Sequence, residues 1–233
     1  MFRVMTGGRG IDMPDMSGQT GLAVVGADSR RGRMGLGAGQ KLAMLLLASV
    51  MLSGCGTLLG GGGPVDTFDL SGASIARRDH AHHHLQLLIP EPAALKMFDG
   101  QNIVIRSGPS SIAYLKGAQW GDRLPKIVQN KLLQSFEDTG RVGGVGTPGQ
   151  GLAIDDQVVT EIRDFSIDAT TNAAVVEVSV KLLNDRNGAV RASKVFQGTA
   201  PVPGTANADY VQALQTAFGQ VSADIVSWTL AKL

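Results

Sequence analysis

Residues 174–183 constrain the fold most strongly, because their apolar side chains occur at every second position. The two alternating sets are Val176, Val178, Val180 and Leu182, and Glu177, Ser179 and Lys181. Successive side chains of a β-strand point to opposite faces of a sheet, so the pattern predicts a strand with one buried and one solvated face. Residues 184–188 have the composition of a turn, and residues 189–199 are expected to return as the adjacent antiparallel strand.

The segment before it, residues 158–167, also alternates but changes phase once. The positions of core type are Val158, Thr160 and Ile162 before the change, and Phe165 and Ile167 after it. One extra residue in a strand of an antiparallel pair produces such a change. We therefore expect a β-bulge near Arg163 and Asp164.

The apolar side chains of residues 209–231 follow helical spacing. They are Val211, Leu214, Phe218, Val221, Ile225 and Trp228, at intervals of three and four. Such a stripe can pack on a sheet or pair with a partner helix in a coiled coil. Because it covers only about three heptads and lacks charged flanking positions, we expect it to pack on the sheet of its own domain.

A second helix is predicted for residues 123–138. Its apolar stripe consists of Leu124, Ile127, Val128, Leu132 and Phe136, which we interpret as core contacts and not as a binding groove. Asp122 is a candidate N-cap, Pro125 suits the first turn, and Gly140 stands where a left-handed helix end is expected.

Short apolar runs predict further strands at residues 65–70, 85–89, 103–106 and 111–115, each bounded by turn-forming residues. Together with the two helices they predict an α+β fold. We expect a largely antiparallel sheet with two helices packed on one face, in a single domain.

The only cysteine, Cys55, closely follows the only long apolar run, residues 42–52. A lone cysteine has no partner for an internal disulfide. The run is too short to span a bilayer, which takes about 20 apolar residues, but it suits the apolar region of an export signal. Leu52, Ser53, Gly54 and Cys55 resemble the lipobox of bacterial lipoproteins: an aliphatic residue, two small residues and the cysteine that accepts the lipid.

The sequence thus predicts a signal peptide over residues 1–54, cleavage before Cys55, and a covalent diacylglycerol and acyl lipid on its thiol. The alternative is a buried core cysteine after a chance apolar run. Two further alternatives lie upstream: Ser29, Arg30 and Arg31 partly resemble a twin-arginine signal, and translation from Met34 would give a compact signal without the first 33 residues.

The charge of the remaining chain excludes one class of partner. Six of the 21 Lys and Arg residues and three of the 20 Asp and Glu residues lie in residues 1–54, so residues 55–233 carry 15 basic and 17 acidic side chains. Such a balance gives no bulk attraction to polyanions, so we expect no nucleic-acid partner. Residues 56–64 read as a glycine-rich tether that reaches about 30 Å when fully extended, and residues 65–233 form the domain.

No motif in the sequence indicates catalysis. Residues 144–149 spell G-x-G-x-x-G, but a strand pattern comes next where a dinucleotide site requires a helix, so we interpret them as a glycine-rich loop. The sequence contains no P-loop, no G-x-S-x-G elbow and no H-E-x-x-H motif. We therefore expect a protein that is not an enzyme and carries no cofactor other than the lipid on Cys55.

All four histidines fall within residues 80–84. In an extended chain His80, His82 and His84 would point to one side, where three imidazoles could bind zinc or copper. The segment is polar and lacks second-shell partners, and we interpret it as an exposed connection. A metal-dependent periplasmic enzyme built on these histidines stays open as an alternative.

The sequence as a whole is similar to a known family. The relevant features are the lipobox, the stretch LQLLIPEPAALKMFDGQNIVIR (residues 85–106), Tyr114 with Trp120, the helix of residues 124–140, and the terminal helix with Trp228. With these features the chain resembles the auxiliary lipoproteins of ABC-type transport systems, the family that includes the lipoprotein partners of MCE-type lipid carriers. The histidine-rich stretch, the polyglycine tether and the glycine-rich loop depart from it.

The resemblance implies a non-enzymatic periplasmic component that docks or caps an MCE-type carrier, with ABC permease and ATPase in other subunits. The leading alternative is a lipoprotein that assists outer-membrane or cell-wall assembly without transport. Because Gly56 and not Asp follows Cys55, analogy with lipoprotein sorting predicts the periplasmic leaflet of the outer membrane. Tyr114 and Trp120 are candidate partner contacts if exposed, although both are expected in the core.

Overall fold

The computed structural model describes residues 64–71 and 82–233, which belong to the unit Gly61–Leu233. The predicted signal peptide, Cys55, most of the tether and His80 lie outside the described residues. The elements are β1 (Asp66–Phe68), β2 (His82–Leu88), β3 (Ala93–Ala94), β4 (Asn102–Gly108), β5 (Ser111–Trp120), α1 (Leu124–Thr139), β6 (Val142–Gly146), β7 (Asp156–Asp168), β8 (Ala173–Asn184), β9 (Val190–Pro201) and α2 (Asn207–Leu230).

Strand β7 is the centre of the sheet. Along one side it pairs antiparallel with β8, which pairs antiparallel with β9. Along its other side it pairs in parallel with β2, β3 and β4 in turn. β4 and β5 form an antiparallel hairpin, while β1 extends β5 and β6 extends β2 by parallel pairing. The α+β prediction is confirmed: the long pairings are antiparallel, and shorter parallel pairings complete a mixed sheet.

The predicted bulge in β7 is confirmed. Ile162 lies opposite Val178 and Asp164 lies opposite Glu177, so Arg163 is the extra residue. The core positions change phase there, because Val158 and Ile162 are buried before the bulge and Phe165 after it. One long strand thereby keeps its apolar side chains under the helices along its whole length.

Helix α2 packs on the sheet of its own domain, as predicted. Its stripe from Val211 to Ile225 is buried, and the Trp228 ring meets Phe196 of β9 edge to face at 5.6 Å. Gly198 of β9 permits the close approach: a methyl group there would lie 2.5 Å from the carbonyl oxygen of Ala217. Phe218 also contacts Phe165 of β7 at a ring distance of 5.9 Å.

Helix α1 lies beside α2 and against β6, on the same face of the sheet. Pro125 is in its first turn, and Gly140 ends it in the left-handed conformation at φ 61°, both as predicted. The N-cap prediction is wrong. Arg123 holds that position, and the Asp122 carboxylate accepts a hydrogen bond from the adjacent N–H of Arg123 rather than from the first turn.

Three predictions about local structure differ from the fold. Strand β2 begins at His82, so the histidines at 82–84 belong to a strand and not to an exposed connection. Gly144, Val145 and Gly146 lie in strand β6, so only residues 147–149 of the predicted glycine-rich loop lie outside a strand. Strand β5 continues to Trp120 instead of ending at residue 115. Among the helices of the described residues, none is long and apolar enough to cross a membrane.

Candidate interaction surface

The face of the sheet opposite the helices carries a mixed set of polar and apolar side chains. We call it the open face and define it by Arg106, Ile112, Tyr114, Glu161, Arg163, Asp164, Glu177, Lys181 and Val195. The pairing register fixes their direction, because these positions alternate with core residues. Val195, for example, precedes Phe196, which contacts Trp228 of α2.

A row of ion pairs crosses the middle of the open face. We call it the charged strip: Arg106, Glu161, Arg163, Asp164 and Glu177. The Arg106 Nε lies 3.1 Å from Asp164 Oδ2. Arg163 approaches Glu161 at 3.5 Å and Glu177 at 3.9 Å. The two Arg163 pairs are the more exposed ones, and exposed ion pairs contribute only about 0–1 kcal/mol each. A partner can therefore form ion pairs with these side chains in place of the existing ones, at little cost to the stability of the fold.

Exposed apolar side chains flank the charged strip. At one margin are Ile112 and Tyr114 of β5, which we call the hairpin patch, and at the other is Val195 of β9. Their exposed fractions are 44%, 45% and 43%. The sequence pattern indicated strand β5 but did not single out Ile112, because its apolar character was compatible with a core position. From the sequence, the charged residues of the strip could be recognised only as positions on the solvent-facing side of two predicted strands.

The two aromatic candidates have different environments. Trp120 is 1% exposed and meets Phe165 edge to face at 5.9 Å, so it belongs to the core as expected. Tyr114 is exposed, and the expectation that it is buried is wrong. Residues six apart share a face of a regular strand, but an irregularity in the β4–β5 pairing, with Gly117 at φ +70°, reverses the faces between them.

A groove of about 350 Å³ opens where the β4–β5 turn meets the β7–β8 turn. Its lining residues are Arg106, Gly108, Pro109, Asp168, Thr170 and Thr171. The backbone N–H of Thr170 donates to Asp168 and is the main reason why the pKa of that carboxyl lies below its usual value. An ionised Asp168 offsets the charge of Arg106, so the groove has no net attraction for an anion.

The histidine segment forms no metal centre within the part of the chain that the structure describes, where no group of three or more ligating side chains comes together. His84 is exposed on β2, and His80 lies outside the described residues. Between Gly146 and β7 the described chain forms a turn and no helix. Residues 144–149 therefore lack the strand–loop–helix arrangement that a dinucleotide site of this motif requires.

Comparison with protein families gives one match over most of the domain. The model of the ABC-type transport auxiliary lipoprotein component matches residues 68–226. An uncharacterized protein of Bradyrhizobium diazoefficiens is 29% identical over 187 residues, which cover 77% of this chain and 49% of that protein. The chain therefore spans about half the length of this relative.

Solved structures are similar in fold. A crystal structure of a Xanthomonas campestris protein of the family DUF330 has a TM-score of 0.65 at 25% sequence identity, covering 71% of this chain and 95% of that one. A second crystal structure, of an uncharacterized protein, has a TM-score of 0.58 at 16% identity and covers 72% of this chain and 99% of that one. The second likeness concerns the fold alone.

Proposed function

The chain belongs to the family of ABC-type transport auxiliary lipoprotein components, and on this premise we propose that it is the lipid-anchored accessory subunit of an MCE-type lipid transport system. The family is one of transport components and not of enzymes. The domain docks or caps an MCE-family periplasmic carrier as lipid moves between the two membranes. The ABC permease and ATPase are separate subunits, and this chain has no hydrolase activity of its own.

The charged strip of the open face is the observation that carries this proposal. The helices cover the other face of the sheet, whereas here Arg163, Glu161 and Glu177 pair with one another at the surface, all about one third to one half exposed. The alternating charges of the strip favour one orientation of a partner over others. Val195 adds an apolar contact at the margin of the strip.

The lipid anchor supplies the location. Leu52, Ser53 and Gly54 form the cleavage motif before Cys55, and acylation of Cys55 holds the domain at a membrane. With Gly56 as the next residue, the membrane is the outer one and the domain faces the periplasm. A tether of about 30 Å at full extension is short compared with the periplasm, so the carrier must extend to the lipoprotein.

A capture experiment with a charge reversal tests the docking surface. The affinity-tagged lipoprotein in detergent should capture an MCE-family protein from envelope extract, and the binding of the purified pair is then measured by titration. Arg163→Glu places three acidic side chains together on the strip and should weaken binding about tenfold, equal to about 1.4 kcal/mol.

Lys126→Glu is the matched control, because Lys126 also forms a surface ion pair, with Asp122 at 3.6 Å, but lies on helix α1. Its affinity should stay that of the unmodified protein. Equal losses in both variants would contradict docking through the strip. If the lipoprotein captured no MCE protein but bound peptidoglycan or an assembly factor, the transport proposal would be wrong and the assembly alternative would replace it.

A further inference from the structure

Strand β1 fixes the direction in which the N-terminal chain enters the domain. It pairs in parallel with β5, so that Asp66 lies opposite Ala118 and Phe68 lies opposite Trp120. Val65 precedes Asp66 and therefore lies nearer to the start of β5, where Ser111 follows the hairpin turn. The chain enters the domain from the end that carries the β4–β5 hairpin.

The length of chain outside the structure matches the length of the hairpin. Nine residues, 56–64, connect Cys55 to Val65, and a glycine-rich stretch of this size spans about 15–18 Å on average. From Lys116, near the entry point, to Ser111 the strand runs for about 17 Å. A tether of average length therefore allows a lipid on Cys55 to lie at about the same distance from the entry point as the turn of the hairpin.

The chemistry of the hairpin end suits a bilayer surface. Ile112 and Tyr114 lie two residues apart on one face of β5, and Val65 beside the entry point is 48% exposed. Tyrosine combines an apolar ring with a polar tip, which favours the boundary between headgroups and acyl chains. At the hairpin turn the positive charge of Arg106 is offset by Asp168, so the proposal does not depend on anionic lipid.

We propose that the β4–β5 hairpin rests on the bilayer in which Cys55 is anchored, with Ile112 and Tyr114 in the headgroup region. This inference rests on the lipid anchor of the proposed function. It assigns the hairpin patch to lipid and leaves the Arg163 ion pairs of the charged strip, on strands β7 and β8, for the protein partner. The domain is thereby held in one orientation by two contacts, the acylated cysteine and the hairpin.

The single cysteine allows a direct test. In the acylated lipoprotein the Cys55 thiol is blocked, so Ile112→Cys introduces one reactive thiol for an environment-sensitive fluorophore. The labelled protein is reconstituted in phosphatidylcholine vesicles that carry doxyl spin labels near the headgroups. Val190→Cys is the matched control, because Val190 is 56% exposed but lies next to the β8–β9 turn, at the opposite end of the sheet.

Loss of fluorescence for the label at 112, with unchanged fluorescence for the label at 190, is the expected result. Equal quenching at both positions, or quenching at 190 alone, would overturn the inference while leaving the anchor intact. It would also be overturned if the label at 112 responded only to an added MCE protein, since the patch would then bind protein. Mass spectrometry distinguishes failure of the premise: a protein without lipid on Cys55 would contradict the proposed function itself.

Discussion

Asp156 is the first residue of β7, and its acidic side chain is fully buried in the described domain. The Arg191 Nε lies 3.0 Å from its Oδ1, yet neither carboxylate oxygen has a hydrogen bond. Burial raises the pKa of this carboxyl, the cation of Arg191 opposes that change, and the anions of Asp155 and Asp185 add to it. The residue therefore opposes folding in its charged form.

Asp156→Asn should stabilise the protein at neutral pH and have little effect in acid. In the unfolded chain the carboxyl titrates near pH 3.8, and in the folded protein it titrates higher. Its contribution to stability is complete below the unfolded value and is lost as the pH rises through the folded pKa. The amide does not ionise, and the Arg191 side chain is 39% exposed, so water can replace its partner.

Urea unfolding at several pH values measures this effect. Asp224→Asn on the exposed side of α2 is the control and should stay within about 0.5 kcal/mol of the unmodified protein throughout. A loss of stability for Asp156→Asn at neutral pH would mean that the ion pair with Arg191 outweighs the cost of burial.

The contact between α2 and β9 determines how the helix layer meets the sheet. Gly198 lies opposite Val176 on β8 and directly under the helix, where a methyl group would meet the Ala217 carbonyl oxygen at 2.5 Å and a Val221 methyl at 2.9 Å. Backbone cannot move aside as a flexible side chain can. Close packing of the two layers therefore depends on the absence of a side chain at this position.

Gly198→Ala should destabilise the domain by about 1–3 kcal/mol, because the added methyl forces the helix away from the sheet. Gly219→Ala is the matched control on α2, where no atom other than those of adjacent residues and the helix's own nearby backbone lies within 4 Å of the added methyl. There the same change should stabilise by about 0.5–1 kcal/mol, since alanine favours the helical backbone. Thermal unfolding measures both, and a neutral Gly198→Ala would contradict the packing argument.

Elements with long apolar periodicity were predictable from the sequence, and short ones were not. The stripe of α2, the alternation of β8 and the bulge at Arg163 each depend on local patterns that the fold retains. Strand β3 has two residues and β6 is rich in glycine, so neither carries a pattern, and both exist through pairing with distant strands. The exposure of Tyr114 depends on the irregularity at Gly117, which its own residue spacing does not indicate.

The described domain has a helix-covered face and an open face, and the open face carries both the charged strip and the hairpin patch. In our proposals the charged strip binds the carrier and the hairpin patch contacts lipid, and both contacts require that the domain is anchored through Cys55. The described domain begins beyond Cys55, and its core contains no residue of the predicted anchor. Anchoring and folding should therefore be separable by mutation.

Cys55→Ala should abolish acylation and leave an unprocessed precursor or a released form, because no other thiol exists in the chain. The folded domain should keep its melting temperature, since the substitution lies outside the core of the domain. Ser53→Ala is the control: it keeps a small residue before the cysteine and should still be processed and acylated.

Membrane fractionation with mass spectrometry separates the outcomes, and density-gradient separation should place the acylated protein in the outer membrane. A processed, acylated species of Cys55→Ala in the membrane fraction would contradict the lipobox prediction, and recovery of the native protein in the inner membrane would contradict the sorting prediction based on Gly56.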